Sequence, residues 1–338
     1  MPLGVKIDNY YILGNRMIIK SSKRMCRLEA VEKPLFFSLM EYLNNYFTSN
    51  DPEKITTFYN FFPDKYKLIE WMIQRPKGVT NISEIEGDTD IVIVIPTANV
   101  NGKYAQECKN TIFKGFKIIF VESAENPDPY FNYSHSCNTG IKKALEYNPK
   151  WVVLSNDDVI FQDEPYELKS QLDSIDEDTE VVFSKPTNYH SYDIWISRIR
   201  LIFFIRMFFS KERNFMRTLK MFGIKYTTVG EPANNFLSIL YNKLYFKKLF
   251  VLKQIGSFGI FSSQFLNRFN SDLLDETFIN HMEDMDLSLR LYMRLTKVGV
   301  INYNISDRIG SSIGIGEGRK LRSIASQVYF IEKNKQLL

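Results

Sequence analysis

The rhythm of apolar and polar positions changes near residue 88. Asp90-Ile91-Val92-Ile93-Val94-Ile95-Pro96-Thr97 is a continuous apolar run closed by proline, the pattern of a central strand covered on both faces. Beyond it the spacing predicts a helix over 102–113, a second strand over 116–122 and a helix over 138–147 whose stripe is Ile141, Ala144 and Leu145. A third strand, Trp151-Val152-Val153-Leu154, runs directly into Ser155-Asn156-Asp157-Asp158. Strand, helix, strand, helix, strand in that order predicts a parallel sheet built from right-handed crossovers. Ligands of such a sheet bind at the carboxyl ends of its strands, here Thr97, Glu122 and Asn156 to Asp158.

Residues 1–88 read as an N-terminal α/β extension of unassigned role, ahead of a main domain over 89–338. Residues 9–20, with Gly14-Asn15 between two apolar runs, predict a hairpin. Leu28, Val31, Leu35, Leu39 and Leu43 predict a helix over 27–47, with Pro34 as an alternative start. After the third strand come an acidic, solvated helix and loop over 163–178 and a strand over 181–184. A helical wheel over 194–222 gathers Leu201, Phe208, Phe215, Leu219 and Phe222 on one side and Arg198, Arg206, Arg213, Arg217 and Lys220 on another. Two readings fit: a helix lying on an anionic membrane surface, or one packed on the domain with its basic face in water. A second basic and aromatic stretch over 236–253 tips the balance toward the membrane.

Composition narrows the class. The chain has 338 residues, 44% hydrophobic and 24% charged, enough for a sizeable folded core. Its net charge of +4 is unevenly spread, because residues 194–253 carry 12 Lys or Arg against 2 Glu. No nucleic-acid motif accompanies that patch, so no nucleic-acid partner is expected. Three cysteines without CxxC spacing and three scattered histidines argue against a disulfide framework, a zinc site or a multi-histidine centre. With no leader and no long uncharged apolar stretch, the expected location is cytoplasmic and peripheral, at the inner face of the membrane.

Asp157 and Asp158 are adjacent carboxylates that repel each other and need a cation, a hydrogen-bond cage or water. A divalent metal carrying phosphates would satisfy them; a loop whose side chains cap the next turn is the competing reading. Far along the chain, Glu283-Asp284-Met285-Asp286 opens an amphipathic helix, a place where acidic residues also suit the positive helix end.

Together these residues resemble the family 2 glycosyltransferases. Ile93-Val94-Ile95-Pro96-Thr97 looks like their first strand, and Val121-Glu122-Ser123 stands where relatives usually carry a base-binding Asp. Asn138-Thr139-Gly140-Ile141 is similar to their Asn-any-Gly helix start. Leu154-Ser155-Asn156-Asp157-Asp158-Val159 resembles the Asn-any-Asp form of their Asp-any-Asp metal signature. Phe258-Gly259-Ile260-Phe261-Ser262 resembles the acceptor-side segment. Asp275-Glu276-Thr277-Phe278 and Glu283-Asp284-Met285-Asp286-Leu287-Ser288-Leu289-Arg290 look like the Asp-Glu-any-Phe and Glu-Asp-any-Asp-Leu-any-any-Arg segments.

The resemblance spans about 90–312. It implies a GT-A fold: α/β, with a Rossmann-like, mostly parallel sheet flanked by helices; the basic amphipathic helices read from the wheel and charge pattern would be inserted before the acceptor-side motif, where residues 194–253 match only by position. The implied activity is inverting, metal-dependent transfer of a hexosyl-type sugar from a nucleotide-sugar donor to a lipid-linked or glycan acceptor hydroxyl. Asp284 is then the base, and Glu283, Gly259 and Phe258 meet the acceptor. Pro96, Thr97, Glu122, Asn138, Asn156 and Asp157 meet the donor. Asp158 holds Mg²⁺ or Mn²⁺, with Asp157 as the alternative one residue away. Many relatives add a His ligand where this chain has Ser306-Asp307-Arg308; Asp307 is the candidate substitute, or Arg308 contacts the diphosphate. Two rivals stand beside this reading. One is a catalytically silent GT-A-like module binding membrane or partner, which the missing His supports. The other is a sugar-nucleotide nucleotidyltransferase, for which residues 98–103 make a poor Gly-rich loop.

Overall fold

A computed structural model describes residues 5–7, 10–13, 16–21, 24–27, 33–161, 163–184, 192–198, 213–232, 250–253, 258–269, 272–308 and 316–337. The chain opens with strands β1 (Val5–Ile7), β2 (Tyr10–Leu13), β3 (Arg16–Ser21) and β4 (Arg24–Arg27), which form an antiparallel meander. The β2–β3 pairing matches the expected hairpin. Helices α1 (Lys33–Phe47), α2 (Pro52–Asn60) and α3 (Lys65–Gln74) follow, α1 starting beside Pro34. Next come β5 (Thr80–Ile85), β6 (Asp88–Thr97), α4 (Lys103–Glu107), β7 (Phe116–Ser123), α5 (Tyr133–Leu145), β8 (Trp151–Ser155), β9 (Val159–Phe161), α6 (Pro165–Asp173) and β10 (Val181–Ser184). The remainder is β11 (Tyr192–Arg198), α7 (Arg213–Met221), β12 (Tyr226–Pro232), β13 (Phe250–Lys253), β14 (Phe258–Ser262), α8 (Ser263–Arg268), α9 (Glu283–Met293), β15 (Val298–Ile301), β16 (Ile305–Asp307) and α10 (Glu317–Lys333).

The protein is α/β, with a seven-stranded mixed sheet in the order β15-β10-β14-β8-β6-β7-β5. β6, β7, β8, β10 and β15 run one way; β5 and β14 run against them. The apolar run in β6 exists because both faces of that strand are covered. Ile91, Ile93 and Ile95 pack with Ala105, Cys108, Leu168 and Leu172, while Val92 and Val94 pack with Cys137, Ile141 and Ala144. Helices α4 and α5 therefore lie on opposite faces. The chain steps from β6 outward to β7 and then crosses back to β8 on the far side of β6, which puts a topological switch point between β6 and β8. Gly140 permits this tight layering: a Cβ there would lie 2.3 Å from Val94 Cγ1.

A second core lies beside the sheet. Phe47, Phe58 and Trp71 from α1–α3 join Leu219 of α7, Ile324 and Val328 of α10, and Met285 and Leu289 of α9. The other side of α9, Leu287 and Leu291, packs on the sheet. Helix α9 is thus clamped between two apolar layers, and its first turn is buried accordingly. The expected division at residue 88 falls between β5 and β6, two members of one sheet.

The long basic helix expected over 194–222 is not what the described residues form. Residues 194–198 belong to β11, the middle strand of a three-stranded sheet with β12 and β13, because Ile194 and Ile196 alternate at a strand's period. Only α7 is helical, and Phe215, Met216, Leu219 and Phe222 are buried in the second core with Arg217 and Lys220 in solvent. For this helix the domain-packed reading holds. Of the second basic stretch, Phe250–Lys253 is strand; residues 199–212 and 236–249 lie outside the described residues. Among the described residues, no helix is long and apolar enough to cross a membrane.

Candidate functional site

The switch point is where the strand-end residues meet. Pairing of β6 with β7 continues to Thr97 opposite Glu122, while its pairing with β8 stops at Val94 opposite Leu154, ahead of Pro96. Past that point the strands part, and the Thr97 hydroxyl donates across the gap to Asp157 Oδ2 at 2.7 Å. On the other side of β6, Thr97 is in register with Glu122, whose Oε1 accepts from the Val100 amide at 3.1 Å and pins the loop after β6.

Asp157 and Asp158 differ in setting. Asp157 is partly exposed; burial raises its carboxyl above the usual range, the Asp158 charge adds to this, and the Thr97 hydroxyl opposes it. Asp158 is only 5% exposed, and its carbonyl accepts the Arg308 amide at 3.0 Å. Of the two, Asp157 is the carboxylate a solute reaches without rearrangement, which favours the alternative register. Asp307 lies opposite Val159 in the β16–β9 pair, one position from Asp158. The Arg308 guanidinium is engaged by Glu107 at 2.7 Å and lies over Tyr104.

The second half of the site is the start of α9. Asn280 and Met282 both have left-handed backbones, φ 55° and 73°, which turn the chain sharply into the helix. Glu283 is 8% exposed, and its Oε2 has no hydrogen-bond partner among the described residues. Burial pushes its carboxyl up to about 8, with the neighbouring Asp284 adding to the effect. Asp284 keeps part of its surface open, yet burial raises it to about 6. Arg319 of α10 acts on both in the opposite sense. His281 is pushed down to about 3, first by burial and then by Arg319 and Arg322, so it is neutral at pH 7. Asp286, fully buried, is held by Arg290 at 2.8 Å and Lys333 at 2.9 Å. Those partners tie the first turn of α9 to its own next turn and to α10.

Residues that the sequence reading passed over bring the halves together. Asn132 caps α5 by accepting from the His135 amide, and its Nδ2 donates to the carbonyls of Glu276 and Phe278 at 2.9 and 3.0 Å. Asn280 Oδ1 accepts from the Tyr133 amide at 2.8 Å, and Asn280 Nδ2 donates to the Phe131 carbonyl. Tyr133, so fixed, donates through its hydroxyl to Asn156 Oδ1 at 3.0 Å and feels the charges of Glu283 and Asp284. A cap signal at Asn132 was visible in the sequence; the long-range bonds were not.

Other expected contacts fall elsewhere. Asn138 is 1% exposed and sits within α5 rather than at its start, because Asn132 starts the helix six residues earlier. Its amide exchanges hydrogen bonds with Leu274 and donates to Glu276, leaving it a fold-holding role in place of the expected donor contact. Phe258 and Gly259 pair with Ser155 and Leu154 at the level of the site. The Phe258 side chain, 2% exposed and stacked on Tyr303, points into the core and is closed to an acceptor.

Among the described residues, no three His, Cys, Asp or Glu side chains converge as a metal cage. Magnesium on a diphosphate needs only one or two carboxylates, the rest of its shell being phosphate and water oxygens. Asp157, the partly exposed member of the pair, could supply one such oxygen, and Asp158 a second only after rearrangement. No protein-family model matches the chain, and no curated protein matches it.

Proposed function

We propose that this protein is a glycosyltransferase of GT-A type that moves a sugar, with inversion, from a nucleotide-sugar donor to an acceptor hydroxyl. The observation that supports it best is a partly accessible carboxyl, Asp284, raised by burial to about 6, whose charge acts on Tyr133, which in turn donates to Asn156 beside Asp157 and Asp158. A group ionising near neutrality suits proton removal from a hydroxyl, and a paired carboxylate edge at a switch point suits a cation and its phosphates.

In this mechanism Asp284 accepts the acceptor's proton as the hydroxyl oxygen attacks the anomeric carbon. Burial raises both carboxyls of the Glu283–Asp284 pair, and a proton held on one removes a negative charge that would oppose ionisation of the other. Thr97 orients Asp157, and Glu122 orders the loop over the donor's base. A divalent ion bound by Asp157 and Asp158 would stabilise charge on the departing diphosphate. The acceptor is a glycan or lipid-linked glycan.

The direct test is thermal denaturation with UDP, GDP, dTDP and CMP sugars, each with Mn²⁺ or Mg²⁺. One nucleotide should raise the midpoint in a metal-dependent way, because a ligand that binds only the folded state stabilises it. No response to any donor would overturn the reading and favour a silent binding module.

A further inference from the structure

Tyr133 belongs to neither motif half, yet it engages both. It is the first residue of α5, held at its amide by Asn280, and its partly exposed side chain reaches Asn156 Oδ1 at 3.0 Å. The same phenol lies within the fields of Glu283, Asp284 and Cys137. An asparagine amide can present either edge, and a hydroxyl donating to its oxygen selects one of them. Asn156 immediately precedes the two strand-end aspartates, so its orientation bears on the donor side. We infer that Tyr133 is a positioning residue: acting through Asn156, it fixes the strand-end donor group relative to the Asp284 base. Its catalytic consequence rests on the transferase reading; the coupling itself does not.

The test is a double-mutant cycle of Tyr133→Phe and Asn156→Ala in the full chain, read in two ways. The first readout is transfer, using the donor selected by the thermal screen. Misplacement of about 1 Å can cost on the order of 100-fold in rate, so each single variant should lose about 10- to 100-fold in kcat, with little change in donor KM for Tyr133→Phe. The double variant should lose no more than the worse single one, because both break the same link. Losses that multiply, or full kcat in Tyr133→Phe, would overturn the inference.

The second readout needs no substrate. Thermal stability followed against pH reports the ionisation of Glu283 and Asp284, which face Arg319 of α10, Tyr133 and Cys137 of α5, and His281. In Asn156→Ala the freed Tyr133 hydroxyl is expected to turn to these carboxylates and favour their charged forms, lowering the pH midpoint by about 0.5 unit or more. In the Tyr133→Phe background the same substitution should leave the midpoint unchanged. Equal shifts with and without the hydroxyl, or none in either, would sink the coupling. A chain that turns over no donor yet shows the hydroxyl-dependent shift would refute the transferase reading and leave the link standing.

Discussion

The two acidic regions of this protein differ in exposure and in the side chains that meet their carboxyls. At the end of β8, Asp157 accepts a hydroxyl from Thr97 and keeps contact with solvent. At the start of α9, Glu283 and Asp284 sit where a helix is clamped between the sheet and the second core, and burial dominates both. Burial raises Asp157 as well, but there a side-chain hydroxyl, that of Thr97, opposes the rise and the carboxylate keeps a solvent-facing edge. The helix start favours carboxyls that hold protons until pH approaches neutrality. On the transferase reading, the difference would put cation binding at the strand end and proton transfer at the helix start.

The largest effect should come from the proton-handling side. Replacing Asp284 with Asn keeps the shape but removes the base, so transfer should fall by about 10²- to 10⁴-fold while stabilisation by donor and metal persists. Full transfer in that variant would end the assignment. Next is the strand end. Asp157→Ala should weaken metal-dependent nucleotide binding by at least about 10- to 100-fold, on the scale of disturbing metal-site partners. If Asp158→Ala does this and Asp157→Ala does not, accessibility has misled and the Asn156-Asp157-Asp158 register stands as first expected.

Much of this contrast was legible in the sequence, because strand-end residues are set by local pattern. The run Ile91 to Ile95 can only be a doubly covered strand, and Pro96-Thr97 and Asn156 to Asp158 then arrive at one edge by topology alone. The start of α9 was legible as a motif. Its electrostatics were not, since they depend on α1–α3 and α10 covering the helix from the far side. Tyr133 and Asn280 carried no periodic signal: their roles lie in hydrogen bonds that span 23 and 147 residues of chain. The wheel over 194–222 held for α7 and failed over 194–198 for a related reason. Over so long a window the apolar stripe of α7 dominated, and the period-two alternation of Ile194 and Ile196 was averaged away.

The helix-start side makes a further prediction about stability. A carboxyl whose folded-state value is raised binds more protons folded than unfolded, so stability is full below the unfolded value and falls as pH rises through the folded one. For Glu283 that window runs from the ordinary 4.5 to about 8, and for Asp284 from 3.8 to about 6. Each tenfold displacement of a proton equilibrium is worth about 1.4 kcal/mol, so the melting temperature should drop by several degrees across this range. In Glu283→Gln the decline should end near pH 6, and the variant should be more stable than the parent at pH 8.5. An unchanged profile would mean that the first turn of α9 is far better solvated than its burial implies.

The smallest effect, and the sharpest probe of the strand end, is Thr97→Val. The substitution is close to isosteric and deletes only the hydroxyl that Asp157 accepts. Since Asp157 is partly exposed, water can take over the lost donor, and the net cost should be about 1 kcal/mol or less. That corresponds to about a fivefold weakening of metal-dependent nucleotide affinity. The pH profile of stability set by Glu283 and Asp284 should not move, because Thr97 makes no contact with α9 in its hydrogen bonding. Should Thr97→Val instead shift that profile as Glu283→Gln does, the two acidic regions would titrate as one unit, and the division of cation binding from proton transfer would have to be given up.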